Sequence, residues 1–146
     1  MSISEVSNSG AMPILEAMVR FSGQRQGIIQ NNIANISTPR YQTQDVDVAA
    51  FQKNLSKAIE KRASKGDPRQ GSIQLKKTGQ LRPTSNGGFT LTPQALGSGV
   101  LYHDRNNRDL ERQMQDLAEN VAAFRVASEL YRSRSAILRT AITERP

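Results

Sequence analysis

The clearest pattern in the chain runs through its C-terminal third. Leu110, Met114, Leu117, Val121, Phe124, Ser128, Tyr131, Ser135, Leu138 and Ile142 follow alternating steps of four and three. Eight of these ten positions are apolar, which describes a heptad seam over more than four repeats. No Gly or Pro interrupts residues 109–145, and Ala, Leu, Arg, Glu and Gln fill much of the segment. The pattern predicts one long helix, roughly 50 Å or more at about 1.5 Å per residue. Asn106 or Asn107 is placed to cap it, with Asp109 and Glu111 favourable in its first turn. Ala127, Leu130, Ile137 and Ala141 add a second apolar row beside the first. A stripe that broad calls for more than one partner helix, although a plain two- or three-helix bundle fits the same pattern.

A matching helix is predicted from about Ala11 to Asn35, where Ile14, Leu15, Met18, Phe21, Ile28, Ile29, Ile33 and Ile36 recur at helical spacing. Pro13 is tolerable only in a first turn, so the helix begins near residue 11 or 12. Pro39 disfavours helix at Thr38. Gly23 and Gly27 weaken the segment by about 1 kcal/mol each relative to Ala. A third, shorter helix is expected at Val48–Ala63, with Asp47 as its cap and Val48, Phe51, Leu55, Ala58 and Ile59 on its apolar face. Lys53, Lys57, Lys61 and Arg62 are expected on the rest of its surface.

Residues 64–105 read differently. Seven glycines, Pro68, Pro83 and Pro93 break the segment, with Ser, Thr and Gln between them. A flexible basic loop is expected, with short extended pieces at Ser72–Lys76 and Gly88–Thr92, a turn signal at Asn86-Gly87, and room for a small hairpin. The fold class is therefore mainly α: long N- and C-terminal helices paired like a coiled coil, a shorter middle helix, and a Gly/Pro-containing loop. The corresponding organisation is a disordered N-terminus over 1–10, an N-terminal helical part over 11–63, the loop over 64–105 and the C-terminal helix over 106–146.

Composition narrows what such a chain does. Apolar residues make up 36% of 146 positions and Trp is absent, so burial is concentrated locally or completed by neighbours. The chain has no cysteine, which excludes disulfides and thiolate metal sites. No 18-residue apolar run exists, and MSISEVSNSG lacks the basic start and apolar core of a cleaved secretory signal. The net charge of +7 lies wholly in residues 40–108, which carry twelve Lys/Arg against five Asp/Glu. Lys53, Lys57, Lys61, Arg62, Lys65 and Arg69 cluster there without interleaved aromatics, so a solvated face is the simpler reading than a base-stacking platform.

Catalytic chemistry is not apparent. His103 beside Asp104 forms no triad, and Gly97-Ser98-Gly99 lacks the setting of a nucleotide loop. Asp45 and Asp47 precede a helix, where capping and dipole complementation account for them. No catalytic, cofactor or metal residue is assigned, and no cofactor is expected.

One stretch needs more than a core explanation. Three asparagines crowd a helix end at Asn31-Asn32-Ile33-Ala34-Asn35-Ile36-Ser37-Thr38-Pro39-Arg40-Tyr41. Asn is a poor helix former but serves caps and side-chain-to-backbone bonds, which implies a specified helix–turn junction. This run resembles the N-terminal signature of flagellar rod and hook proteins, approximately N-N-I-A-N-x-x-T-P-G-Y, through Asn31, Asn32, Ile33, Ala34, Asn35, Thr38, Pro39 and Tyr41. It departs at Arg40, where the family usually has Gly. Gln44-Asp45-Val46-Asp47 with Phe51, and the segment Asn107–Ile142, resemble the short proximal rod protein of the basal body.

The resemblance implies a non-enzymatic structural subunit whose terminal helices pair and stack helically around an export channel. It implies export through the flagellar type III apparatus without a cleaved signal, and a place in the periplasmic rod. Its implied partners are copies of itself, other rod proteins, and components of the inner-membrane ring and export gate. Neither a small-molecule substrate nor a nucleic acid is expected. The helix-packing residues are then Leu110, Met114, Leu117, Val121, Phe124, Leu138 and Ile142, burying against the first helix and adjacent subunits. Another short rod subunit, or a basic helical nucleic-acid-binding protein, is the alternative.

Overall fold

The computed structural model describes residues 10–64, 71–95 and 110–143. Three helices dominate: α1 (Met12–Ala34), α2 (Val48–Ala63) and α3 (Leu110–Thr143). Four short strands accompany them: β1 (Gln44–Asp45), β2 (Leu81–Pro83), β3 (Phe89–Leu91) and β4 (Gln94–Ala95). Strands β2 and β3 form an antiparallel hairpin with Leu81 opposite Leu91. Strand β4 returns to pair antiparallel with β1, Gln44 opposite Ala95.

Local rules explain the helix ends. In α1, Pro13 sits in the first turn, where its missing N–H removes no helical bond. The Ala11 carbonyl accepts from both Ile14 and Leu15 there. Asp47 caps α2 by accepting from the Ala50 N–H at 2.9 Å, and Lys61 and Arg62 complement the dipole in its last turn. The Asn106/Asn107 cap of α3 lies outside the described residues, as do His103, Asp104 and Gly97-Ser98-Gly99.

The apolar cluster gathers Ala17 and Phe21 of α1, Phe51 and Leu55 of α2, Val46, and Leu81 and Phe89 of the hairpin. Phe21 and Phe51 stack with ring centroids 3.9 Å apart, and Phe89 tilts against Phe51 at 5.9 Å. The loop-like composition of 71–95 therefore conceals part of the core. Its apolar residues are few, but Leu81 and Phe89 are buried and Ile73 and Leu75 pack against the cluster. The first strand of the hairpin is not the expected extended piece Ser72–Lys76. Leu81–Pro83 takes that place because it lies close to the Thr84–Gly88 turn, where Gly87 adopts φ +81°. Ser72–Lys76 is not in a strand; Asn54 of α2 secures it, donating to the Lys76 carbonyl at 2.8 Å and accepting from its N–H at 3.1 Å.

Two side chains sit elsewhere than the sequence suggests. Arg62 is buried rather than part of the exposed basic face, because its Nη2 donates to the Gly10 carbonyl at 2.8 Å. Asp45 is no cap; its carboxylate is taken by Arg25.

Helices α1 and α3 run antiparallel, as the pairings of Asn32 with Gln113 and of Ser22 with Asn120 require. None of the buried residues of the apolar cluster comes from α3. Among the described residues, no helix is long and apolar enough to cross a membrane.

Candidate functional site

The asparagine-rich junction at the end of α1 is a closed network of amides. Asn32 is almost fully buried and uses its whole hydrogen-bonding capacity. Its Nδ2 donates to the Gln44 carbonyl at 2.7 Å and to Gln113 Oε1 at 3.0 Å. Its Oδ1 accepts from the Gln44 N–H at 3.0 Å and from the Tyr41 hydroxyl at 2.9 Å. One side chain thus fastens both backbone groups of Gln44 and, through Gln113, the first turn region of α3. Asn31 Nδ2 donates to the same Tyr41 hydroxyl at 3.1 Å. Asn35 turns back to donate to the Asn31 carbonyl at 2.9 Å, and Thr38 donates to Asn35 Oδ1 at 3.3 Å. Burial pushes the Tyr41 phenol above its ordinary pKa, while the Asn31 bond pulls the other way.

The chain reverses at Thr38-Pro39-Arg40-Tyr41. The Thr38 carbonyl accepts from the Tyr41 N–H at 3.2 Å, with Pro39 in the second position and Arg40 in the third at φ +63°. A turn with Pro second and positive φ third is the type II pattern, and it favours Gly at that third position. Arg40 therefore holds the conformation for which the family's Gly is suited, at a cost of about 1–2 kcal/mol for an L side chain. Of the other signature residues, Ile33 is half-buried in the last turn of α1, while Ala34 and Pro39 are exposed.

A second polar group lies further along the α1–α3 contact. Arg25 is buried and grips Asp45 with two bonds, Nε to Oδ1 at 2.9 Å and Nη2 to Oδ2 at 2.6 Å. Asp116 of α3 stands 3.8 Å from the same Nη2. The hydrogen bond to Asp45 raises the Arg25 pKa further, against the opposing effect of burial. Burial raises the Asp116 carboxyl above its ordinary value, and Arg25 only partly offsets this. Asn120 is also buried and donates to the Ser22 carbonyl at 2.8 Å. Phe124 completes the contact over Gly23, 3.7 Å from where a Cβ would stand.

This seam has its own heptad. The buried positions of α3 are Gln113, Asn120 and Ala127, seven residues apart, with Leu117, Phe124, Tyr131 and Leu138 half-buried beside them. The sequence-derived packing set divides accordingly. Leu117 and Phe124 lie on the line nearest α1, and Val121 and Leu138 are half-buried. Leu110, Met114 and Ile142 are exposed. The row turned toward α1 is thus offset by one residue from Met114–Val121–Ser128, because Gln113 and Asn120 find amide and carbonyl partners that an apolar side chain could not serve. The apolar pattern does not reveal Gln113, Asn120, Arg25 or Asp116; Gln113 and Asn120 carry one signal, polar residues seven apart, while Arg25 and Asp116 carry none.

The arrangement holds parts together and leaves apolar surface outward. Among the described residues there is no cluster of three or more His, Asp or Glu able to hold a metal. Of the basic cluster, Lys53, Lys57 and Lys61 are exposed on α2, Arg62 is buried, and Lys65 and Arg69 lie outside the described residues.

No family model matches the chain. It is 26% identical over 135 residues to the flagellar basal body rod protein FlgB of Bacillus subtilis (strain 168), a likeness covering 92% of this chain and 95% of that protein. The likeness is to a rod protein of the flagellar basal body. The Asn31–Tyr41 signature and the long terminal helices agree with this similarity to a flagellar basal-body rod protein.

Proposed function

We propose that this protein is a subunit of the proximal part of the flagellar rod, assembling helically through α1 and α3 around the export channel. Export without a cleaved signal and placement in the periplasm, against the inner-membrane ring and export gate, belong to the same reading. So does a division into an axial unit, built from residues 11–63 and 106–146, and an intervening segment over 64–105. The observation that carries it is the surface of α3. Leu110, Met114, Val126, Leu130, Ile137 and Ile142 are exposed on a helix whose contact with α1 contains several buried polar pairings. Exposed apolar rows of this extent mark a surface that other subunits cover. Neighbouring subunits would complete the burial of Leu110, Met114, Leu117, Val121, Phe124, Leu138 and Ile142. The Asn31–Tyr41 junction serves as the structural corner that sets where α3 lies.

The test is an in-frame deletion in the source organism, with swimming scored and basal bodies imaged by cryo-electron tomography. Rings without a rod, and motility restored by complementation, are expected. Intact rods and normal swimming would refute the assignment. A complementing copy carrying Phe124→Asp is expected to leave the cells non-motile.

A further inference from the structure

A groove of about 570 Å³ runs between the first half of α1 and the hairpin, with Pro13, Glu16 and Arg20 on one wall, residues 72–75 on another and the turn of the hairpin closing it. Ser72 and Gln74 are exposed while Ile73 and Leu75 are half-buried, the period of an extended strand. The N–H and carbonyl of Lys76 both face α2, where Asn54 takes them. Along an extended chain these directions alternate, so the backbone groups of Leu75 and Ile73 face away from α2. Among the described residues they have no hydrogen-bond partner, and they form an open strand edge. The start of α1 is held beside this edge. Arg62 donates to the Gly10 carbonyl at 2.8 Å and to the Gly71 carbonyl at 3.5 Å. Gly10 has φ +62°, which turns the chain entering it away from the line of α1.

We infer that residues 4–9 of this same chain fill the groove as an added strand, antiparallel to residues 72–76. The direction follows from Arg62: a segment that ends at Gly10 and lies along one that starts at Gly71 must run the opposite way. Six residues in a strand reach roughly 20 Å, whereas the Pro13–Arg20 wall is roughly 10 Å long, so the segment spans the groove. The side chains set the register. Val6 is the one apolar residue of 4–9 and Glu5 the one acidic residue. Placing Val6 opposite Leu75 joins two apolar side chains on the face that packs against the apolar cluster, and it sets Glu5 opposite Lys76. A slip of one residue would turn Val6 outward and lose the charge pair. In this register Val6 and Asn8 bond the free backbone groups of Leu75 and Ile73, while Ser7 stands opposite Gln74 in a pair without hydrogen bonds. Main-chain bonds supply the affinity of such strand addition, and the site for the Val6 side chain supplies its specificity.

Helix α1 begins at Met12, so Val6→Asp leaves the helices and the hairpin in place, and circular dichroism of the full-length variant verifies this. In the unaltered chain, amide exchange at Ile73 and Leu75 is expected to be slow. Val6→Asp is expected to speed it by about tenfold or more, with Gln74 unchanged. The absence of cysteine permits a second measurement. Under mild oxidation in dilute solution, Ser7→Cys with Gln74→Cys is expected to close a disulfide within the monomer, and adding Val6→Asp to suppress it. Arg62 keeps the two sites near one another whether or not the segment docks, so the Val6→Asp arm separates docking from proximity. Fast exchange at Ile73 and Leu75 in the unaltered chain, or a disulfide that forms equally well with Val6→Asp, would overturn the proposal. So would mixed dimers of the two single variants forming as readily as the intramolecular bond, since the groove would then hold the segment of another copy. None of these measurements involves a rod, so the inference and the rod assignment fail separately.

Discussion

The two sides of α1 are held by opposite chemistries. On one side Phe21 meets Phe51 and Phe89, with Leu55, Leu81 and Val46 around them, an apolar cluster of the ordinary kind. On the other side α3 is attached by Asn32 to Gln113, Arg25 to Asp116 and Asn120 to the Ser22 carbonyl. Apolar burial is favourable but indifferent to direction, so the first side supplies stability. Buried amides are satisfied in only one alignment, so the second side specifies how α3 is set. α3 nevertheless keeps further apolar residues outside that contact, at Leu110, Met114, Val126, Leu130, Ile137 and Ile142.

That contrast can be broken most strongly on the apolar side. Phe51→Ala removes the middle ring of the cluster and should cost about 3–5 kcal/mol, read from denaturant unfolding followed by helix signal. A loss under 1 kcal/mol would mean that the cluster is not the stabilising centre. Asn32→Ala comes next, at about 3 kcal/mol, since it strands the Gln44 backbone, Gln113 and the Tyr41 hydroxyl together. Its signature should be selective, with amide exchange in α3 accelerating more than in α2.

Arg40→Gly sharpens the picture in the other direction. It should stabilise the chain by about 1 kcal/mol, because Gly accepts φ +63° without strain but gives back part of the gain as unfolded-state entropy. A destabilised Arg40→Gly chain would show that Arg40 contributes contacts worth more than the strain.

The smallest effect concerns pH. Asp116 has its folded pKa raised above the ordinary 3.8, so the folded chain holds its proton longer than the unfolded chain does. The contribution of this group is therefore complete below the unfolded value and is lost as pH rises through the folded one. Asp116→Asn should remove that decline, flattening the stability profile on the alkaline side of the ordinary carboxylate range, while Asp45 still pairs with Arg25. An unchanged profile in the variant would place the titration elsewhere.

Much of the fold was legible where the rule is local. Val48–Ala63 with its Asp47 cap, and the start of α1 at Pro13, follow from capping and proline geometry over a few residues. The core contribution of 71–95 was not legible, since Leu81 and Phe89 sit alone among turn formers and only their contact with Phe51 and Phe21 makes them core. The signature was visible as a cluster of asparagines, but not its wiring. Asn54 shows the same limit: no local pattern marks it out, yet its buried amide is occupied by the Lys76 backbone.

By itself, then, the sequence determined where the helices lie, that α3 is long and carries two apolar rows, and that the Asn31–Tyr41 corner is specified. Periodicity, caps and proline are local physics and can be read residue by residue. Only the tertiary structure decided which row of α3 faces α1. Rows one residue apart satisfy the same heptad count, and the choice fell to the row whose polar groups at Gln113 and Asn120 could be paired once buried.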